Sequence, residues 1–300
     1  MCADLPTAMS HGDNTVINGK VYFGGGNADD DSKHSMLCYD QAQDVWTTLP
    51  PLPVTYYGLG HINGKLVAVG GQKIPNLVHT NEMYKFKMKG KWQLTTPAMP
   101  TARSSPAVVS LSSALVVAGG ENEQGEAMSS VSVLKHALQQ WYRCDPLPKP
   151  CANLSPVLIN DQVFMLGGHE SPLSLNGAMY TSVDALLSSS EPCTEAADPT
   201  CPTRWKMLPD TPLHQPAAGA VLRKSLLSIG GKQSSSQEST AQQQVYIYSP
   251  TADSWIYISD LPCPMAATTT AVVSPVDILV IGGWDGQSLK TVVKGSLNPL

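Results

Sequence analysis

The sequence predicts an all-β fold, a six-bladed β-propeller of four-stranded antiparallel blades, and three observations carry that prediction. An apolar run that stops at a glycine pair recurs through the whole chain. It reads Val21-Tyr22-Phe23 before Gly25-Gly26, Leu66 to Val69 before Gly70-Gly71, and Leu115 to Ala118 before Gly119-Gly120. It returns as Val163 to Leu166 before Gly167-Gly168, Leu226 to Ile229 before Gly230-Gly231, and Ile278 to Ile281 before Gly282-Gly283. The first glycines stand 45, 49, 48, 63 and 52 residues apart, bracketing a propeller-blade period of roughly 50 residues. A tryptophan then follows each of the first five pairs, and Trp46, Trp92, Trp141, Trp205 and Trp255 lie 21, 22, 22, 38 and 25 residues after the first glycine.

The units divide the chain into one ring: blade 1 over about 6–50, blade 2 over about 51–98, blade 3 over about 99–147, blade 4 over about 148–211, blade 5 over about 212–261 and blade 6 over about 262–297. The last unit ends without a tryptophan, and Met1 precedes Pro6 by the same five residues that separate Trp46 from Pro51. Residues 1–5 are therefore expected to lie on the strand at 289–294, completing blade 6 so that first and last repeats leave no bare strand edge. A chain continuing upstream of Met1 is the rival reading.

In unit 1 the strands Thr15-Val16-Ile17 and Lys20 to Phe23 flank Asn18-Gly19, and unit 2 repeats the arrangement around Asn63-Gly64. Asn-Gly is the preferred type I′ hairpin turn because both central residues need positive φ. Asn160-Asp161 and Arg223-Lys224 hold the same place with poorer turn chemistry. Strands ending at the glycine pair are apolar at nearly every position, as strands covered on both faces should be. The strand before each turn is rich in small residues, such as Gly58, Gly60, Ala107 and Gly219, which suits strands crowded around a central channel. The paired glycines end the strand where the chain turns outward and the next blade comes close, so their role is structural. The tryptophans, with Tyr39 and Tyr248 seven residues ahead of Trp46 and Trp255, should pack between blades. Two stretches break the regularity. An insertion near 185–203, rich in Ser, Pro and acidic residues, reads as exposed, and the polar tract Gln233 to Gln244 reads as a long loop.

Composition narrows the function. Charged residues make up 14% of the chain, against ~25% in an ordinary soluble domain, as expected when blades face one another. The net charge of −5 and scattered Lys and Arg give no footprint for nucleic acid. There is no secretory leader and no apolar run of membrane-spanning length, so no membrane association is expected. Seven cysteines without a C-x-x-C suit a reduced setting, cytoplasmic with the nucleus as the other choice. Pairing of Cys193 with Cys201 inside the insertion stays open, and the Asn153-Leu154-Ser155 sequon reads as chance without a leader.

At this point the chain resembles the kelch-repeat family, and the resemblance covers essentially its whole length. Enzymes exist on this fold, so the site must be argued separately. The copper site of galactose oxidase needs two tyrosines and two histidines, and here the histidines are spread over the units with no close pair. The iron pattern of plant specifier proteins and the motifs of nucleotide-binding loops, serine hydrolases and zinc proteases are absent. No catalytic residue, metal ligand or cofactor is assigned.

The resemblance implies that a protein partner sits on one mouth of the ring. In kelch propellers that bind proteins, residues 16 and 14 positions before the first glycine, and those just after the pair, face that mouth. Here these include Tyr56, Arg103, Ser105, Asn153 and His214 ahead of the strands, and His169, Glu170, Trp284 and Asp285 after the pairs, with Tyr57 beside Tyr56. Arg103 is an arginine that the other five units lack, which argues against an acidic peptide gripped by several arginines. Tyrosine, tryptophan and arginine are the types enriched at binding hot spots. The expectation is an interaction scaffold or substrate-recognition module, a monomeric propeller without catalysis. The alternatives are a sugar epimerase or lyase, with Arg103, His214 and Glu170 converging in a deep mouth, and a cytoskeletal, actin-binding protein. The family often joins its propeller to a BTB domain that recruits a ubiquitin ligase.

Overall fold

The computed structural model describes residues 2–28, 36–87, 90–170, 173–174, 177–188, 203–212, 218–234 and 239–296. Among the described residues the blades are five four-stranded antiparallel sheets and, for the sixth, a three-stranded one, each ordered in sequence from the innermost strand outward. Blade 1 is built from Asp13–Ile17, Lys20–Gly24, Met36–Asp40 and Val45–Leu49. Blade 6 contains Thr269–Val272, Asp277–Ile281 and Val292–Ser296. The innermost strands neighbour one another around the ring, from blade 1 through to blade 6 and back to blade 1.

Each joint between blades has its own apolar cluster. Val67 and Val69 of blade 2 pack with Leu115 and Val117 of blade 3. Leu5, Val21, Phe23 and Tyr39 pack with Leu279 and Ile281, closing the ring between blades 6 and 1. Hydrogen bonds follow the same logic. The indole Nε1 of Trp92 donates to the carbonyl of Pro50, that of Trp141 to Pro97 and that of Trp255 to Pro209. Each tryptophan thus ties its blade to the one before it. Trp46 does the same to Ala3. Tyr39 and Tyr248 pack at a tilt across the strand pair against Trp46 and Trp255, with ring centroids 4.9 and 5.4 Å apart.

The glycine pairs make the second set of ties. The amide of Gly71 donates to the carbonyl of Arg103, that of Gly120 to Cys151 and that of Gly283 to Met9, each acceptor lying in the next blade's entry segment. Both glycines of every pair have positive φ. A Cβ on Gly119 would run into the Cys151 carbonyl oxygen, so an alanine there meets both backbone strain and a collision. The hairpin turns adopt the expected left-handed pair not only at Asn18-Gly19 and Asn63-Gly64 but also at Asn160-Asp161 and Arg223-Lys224. The strand ladder imposes the turn on the last pair against its propensity.

Three details differ from the sequence expectation. Residues 2–5 lie at the joint of blades 6 and 1 but form no strand. Leu5 donates its amide to the Lys290 carbonyl, as Leu147 does to Ser129 and Met99 to Asn81. Those residues come just after the fourth strand of their neighbours, so residues 2–5 occupy the linker that follows such a strand. Gln233 and Thr240 to Gln244, expected as loop, belong to a long hairpin in which Gln233 pairs with Thr240 and Lys232 with Ala241. Ladder hydrogen bonds need no apolar side chains, so polarity alone is a poor guide there. The insertion begins as a one-turn helix, Val183–Leu187, capped by the Ser182 hydroxyl. Cys193 and Cys201 lie outside the described residues, and Cys2, Cys38, Cys144, Cys151 and Cys263 are free thiols among those described.

Candidate functional site

The glycine-pair ends of the strands form one mouth of the ring. Two concentric sets of residues build it, the outer supplied once per unit and the inner seen in the five units whose entry segments are described.

The inner set stands just ahead of the innermost strands. His11, Tyr56, Ser105 and Asn153 all have φ near +50°, between 48° and 56°, and in the sixth unit Ala267 at 49° holds the place. A left-handed conformation is costly for such residues and persists only where the surroundings demand it. The demand is visible: the amide of His11 donates to the Ala267 carbonyl, that of Ser105 to Tyr56 and that of Asn153 to Ser105. Backbone bonds from blade to blade draw the mouth into a tight collar and turn these side chains toward its opening.

The outer set stands two residues after the first glycine: Asn27, Gln72, Glu121, His169, Lys232 and Trp284. Each of Asn27, Gln72, Glu121, His169 and Trp284 is paired in antiparallel fashion with the entry segment of its own unit, at Ser10, Thr55, Ser104, Ala152 and Ala266. Neighbouring members touch. His169 Nε2 lies 2.7 Å from Glu121 Oε1, and Lys232 Nζ sits 5.0 Å from the centroid of the Trp284 ring, a cation–π contact. His79, on the turn after Gln72, reaches Ser104 Oγ at 3.0 Å.

Charges in the mouth act on one another. Glu121 is held below the ordinary carboxyl range, first by its hydrogen bond to His169 against the pull of burial, then by the positive potential of His169, His79 and His11. Enclosure by the mouth loops, followed by His169 and Lys232, lowers the His11 imidazole to about 4, with Glu121 opposing. The outward surface of His11 is nonetheless open to solvent. The phenol of Tyr56 is pushed up by burial and by Glu121. Histidines scattered through the sequence thus converge on a single carboxylate. Among the described residues no group of three or more His, Cys, Asp or Glu is arranged to hold a metal ion.

The candidates named from sequence divide accordingly. Tyr56, Ser105, Asn153, His169 and Trp284 are half-buried around the opening, and Asp285 is exposed beside it. Asn153 Nδ2 lies 3.3 Å from His169 Nδ1. Glu170 is half-buried and pairs through its backbone with Leu173. His214 lies outside the described residues.

Arg103 is not at the open mouth. Its side chain is 1% exposed and its guanidinium donates to the Gly119 carbonyl, the Ser130 carbonyl and Ser130 Oγ at 2.8, 3.1 and 2.8 Å. The described residues of the register sixteen before the glycine behave this way, since Met9, Val54 and Cys151 are fully buried. The carbonyls of Met9, Arg103 and Cys151 receive the glycine amides of the preceding blade, which pulls them under the loops. With Arg103 engaged there, it does not converge with Glu170 in a channel site. Tyr57 is likewise buried, 2% exposed, on the channel side of the collar.

Sequence reasoning missed Asp13, whose carboxyl lines the channel below the collar. An alignment of the units on their first glycines reveals it as the only charged residue at that register, against Gly58, Ala107, Ser155, Ala218 and Thr270.

Comparison with known proteins agrees with this architecture. A family model for the KLHDC2/KLHL20/DRC7 Kelch-repeats domain matches residues 58–283. Kelch-like protein terF of Aspergillus terreus is 22% identical over 99% of this chain and 55% of its own length. Kelch-like protein 25 of Xenopus tropicalis is 22% identical over 89% of this chain and 43% of its own. The chain therefore spans about half the length of these relatives. The solved structure of YjhT shares the fold, with a TM-score of 0.79 at 16% identity over 98% of this chain and 96% of that one. A family match across well over half the sequence, on units whose glycine pairs and tryptophans tie blade to blade, makes this chain a member of the kelch-repeat family.

Proposed function

We propose that the protein is an interaction module that holds a protein partner on the glycine-pair mouth. One observation carries this reading: the outer ring presents a carboxylate, an imidazole, an ammonium and an indole at equivalent register on a backbone fixed by blade-to-blade bonds. Loop side chains on a rigid scaffold are where binding surfaces are normally found. The tyrosine and tryptophan supply anchors, and the alternating charges supply orientation. The mixed polarity fits a partner surface that is neither uniformly acidic nor uniformly basic. Recognition of a substrate for a larger assembly is a use the same surface would serve.

The test compares three proteins of matched thermal stability as baits in a lysate: wild type, a Tyr56→Ala/His169→Ala/Trp284→Ala variant, and Lys65→Ala on the hairpin-turn end. A partner held by wild type and Lys65→Ala but lost by the triple variant supports the mouth. A partner held equally by all three places the interface elsewhere, and co-sedimentation with actin filaments in the triple variant would favour the cytoskeletal reading instead.

A further inference from the structure

The channel narrows just below the collar, and one residue there is out of keeping with its place. Asp13 and Ser155 each stand twelve residues before the first glycine of their units. Both close the seam to the next blade: Asp13 Oδ2 accepts the amide of Leu59 at 2.7 Å, and Ser155 Oγ accepts that of Gly219 at 2.8 Å. A neutral hydroxyl therefore suffices for the seam. A carboxylate does the same work at a desolvation cost that serine avoids. Burial pushes Asp13 up to about 7, opposed by the amides of Leu59 and Asn14, and no lysine, arginine or histidine is among the groups acting on it.

A second observation points into the same space. Tyr57 is 2% exposed, and its hydroxyl, with the Gly25 amide nearby, makes no well-formed hydrogen bond. Buried polar atoms are rarely left in that condition without a reason. Tyr57, Asp13, His11 and Tyr56 line one cavity of about 60 Å³ at the neck, space for roughly two water molecules. Asp13 also lines the adjoining channel cavity of about 300 Å³, with His61 deeper along it.

These groups select a ligand class. A half-buried carboxylate facing the channel disfavours an anion. A neutral polyol would leave its charge unmatched. An ammonium group supplies the missing cation, donates to Asp13 and to the Tyr57 oxygen, and meets tyrosine rings, which attract cations. We infer that the neck of the channel binds a primary ammonium group, carried by a small amine or by a lysine side chain reaching down through the collar. The site shares Tyr56 with the partner surface but uses none of the outer ring, and the Asp13 readout distinguishes its failure from that of the partner surface.

The experiment follows the Asp13 carboxyl carbon by NMR, assigned through its loss in Asp13→Ser, while the protein is titrated with acid in methylammonium chloride, in N-acetyl-lysinamide hydrochloride or in sodium chloride of equal ionic strength. The inference expects the Asp13 titration midpoint to fall by about one pH unit, a tenfold preference for the ionised form, with methylammonium and to stay in place with sodium. A matching fall with the lysine amide identifies a side chain as the source, and a fall with methylammonium alone identifies a small free amine. No movement with either amine overturns the site, and so does an equal movement with sodium. Asp13→Ser copies the residue that already closes the blade 4 seam, so it should fold and serve as the control.

Discussion

Glu121 of blade 3 and His169 of blade 4 meet at 2.7 Å across the mouth, joining two blades that share no strand. The contact holds Glu121 below its unfolded value of 4.5. A carboxyl depressed in this way adds stability above the unfolded pKa and loses it as pH falls through the folded one. Glu121→Gln should therefore be less stable than wild type at pH 6, by about 0.5–1 kcal/mol for a partly exposed pair. The difference should vanish in acid, below pH 4.5. Denaturant unfolding at a series of pH values checks it, and a deficit that persists in acid would mean the side chain acts through packing alone.

Asp13 has the opposite sign. Its carboxyl is raised from 3.8 to about 7 in the folded protein, so its contribution is intact below the lower value and is lost as pH rises through the upper one. Asp13→Ser should match wild type near pH 4 and exceed it at pH 8. A rise of that size corresponds to about 4 kcal/mol, and solvation by channel water reduces this to on the order of 2 kcal/mol. A variant that loses stability at pH 8 would show that the carboxylate, not merely an acceptor, is needed at the seam.

Gly119 and Gly90 separate two costs of an added methyl. Both have positive φ, 63° and 69°, but a Cβ at Gly90 meets nothing while one at Gly119 collides with the next blade. Gly90→Ala should cost about 1 kcal/mol, from the backbone alone. Gly119→Ala should cost several kcal/mol, about 3 or more, because the collision comes in addition. Equal losses in thermal unfolding would remove the tie between blades as the cause.

Arg103→Ala should behave as a folding variant. Removing the guanidinium strips three hydrogen bonds from the Gly119–Ser130 segment and leaves its acceptors buried. A loss of about 1–3 kcal/mol follows for buried acceptors left without their donor. A stable Arg103→Ala protein with weakened partner binding would return this residue to the mouth.

What the sequence shows and what it hides follow from the range of the interactions concerned. Asn18-Gly19 and Asn63-Gly64 state their turn locally, and Arg223-Lys224 can be placed in the same turn only because the repeat fixes its register. The positions of Tyr56, His169 and Trp284 follow from counting along a period. Arg103 resists such counting, because its partner Ser130 lies 27 residues away and its burial depends on a glycine amide of the blade before it. The convergence of His11, His79 and His169 on Glu121 is a property of the closed ring, invisible to any window along the chain. The hairpin at Gln233 and Thr240 is hidden by composition, since its side chains carry the polarity of a loop while its backbone carries a ladder.

The position two residues beyond the first glycine has a wider consequence. Its occupants, from Asn27 to Trp284, hang on a frame held by backbone bonds, and their own side-chain contacts add only small increments to it. They are interchangeable slots, and swapping Glu121 with Lys232 would rewrite the pattern a partner meets while the wheel beneath it stays unchanged. A repeat protein of this design carries its address in a handful of letters, and new addresses cost it almost nothing in architecture.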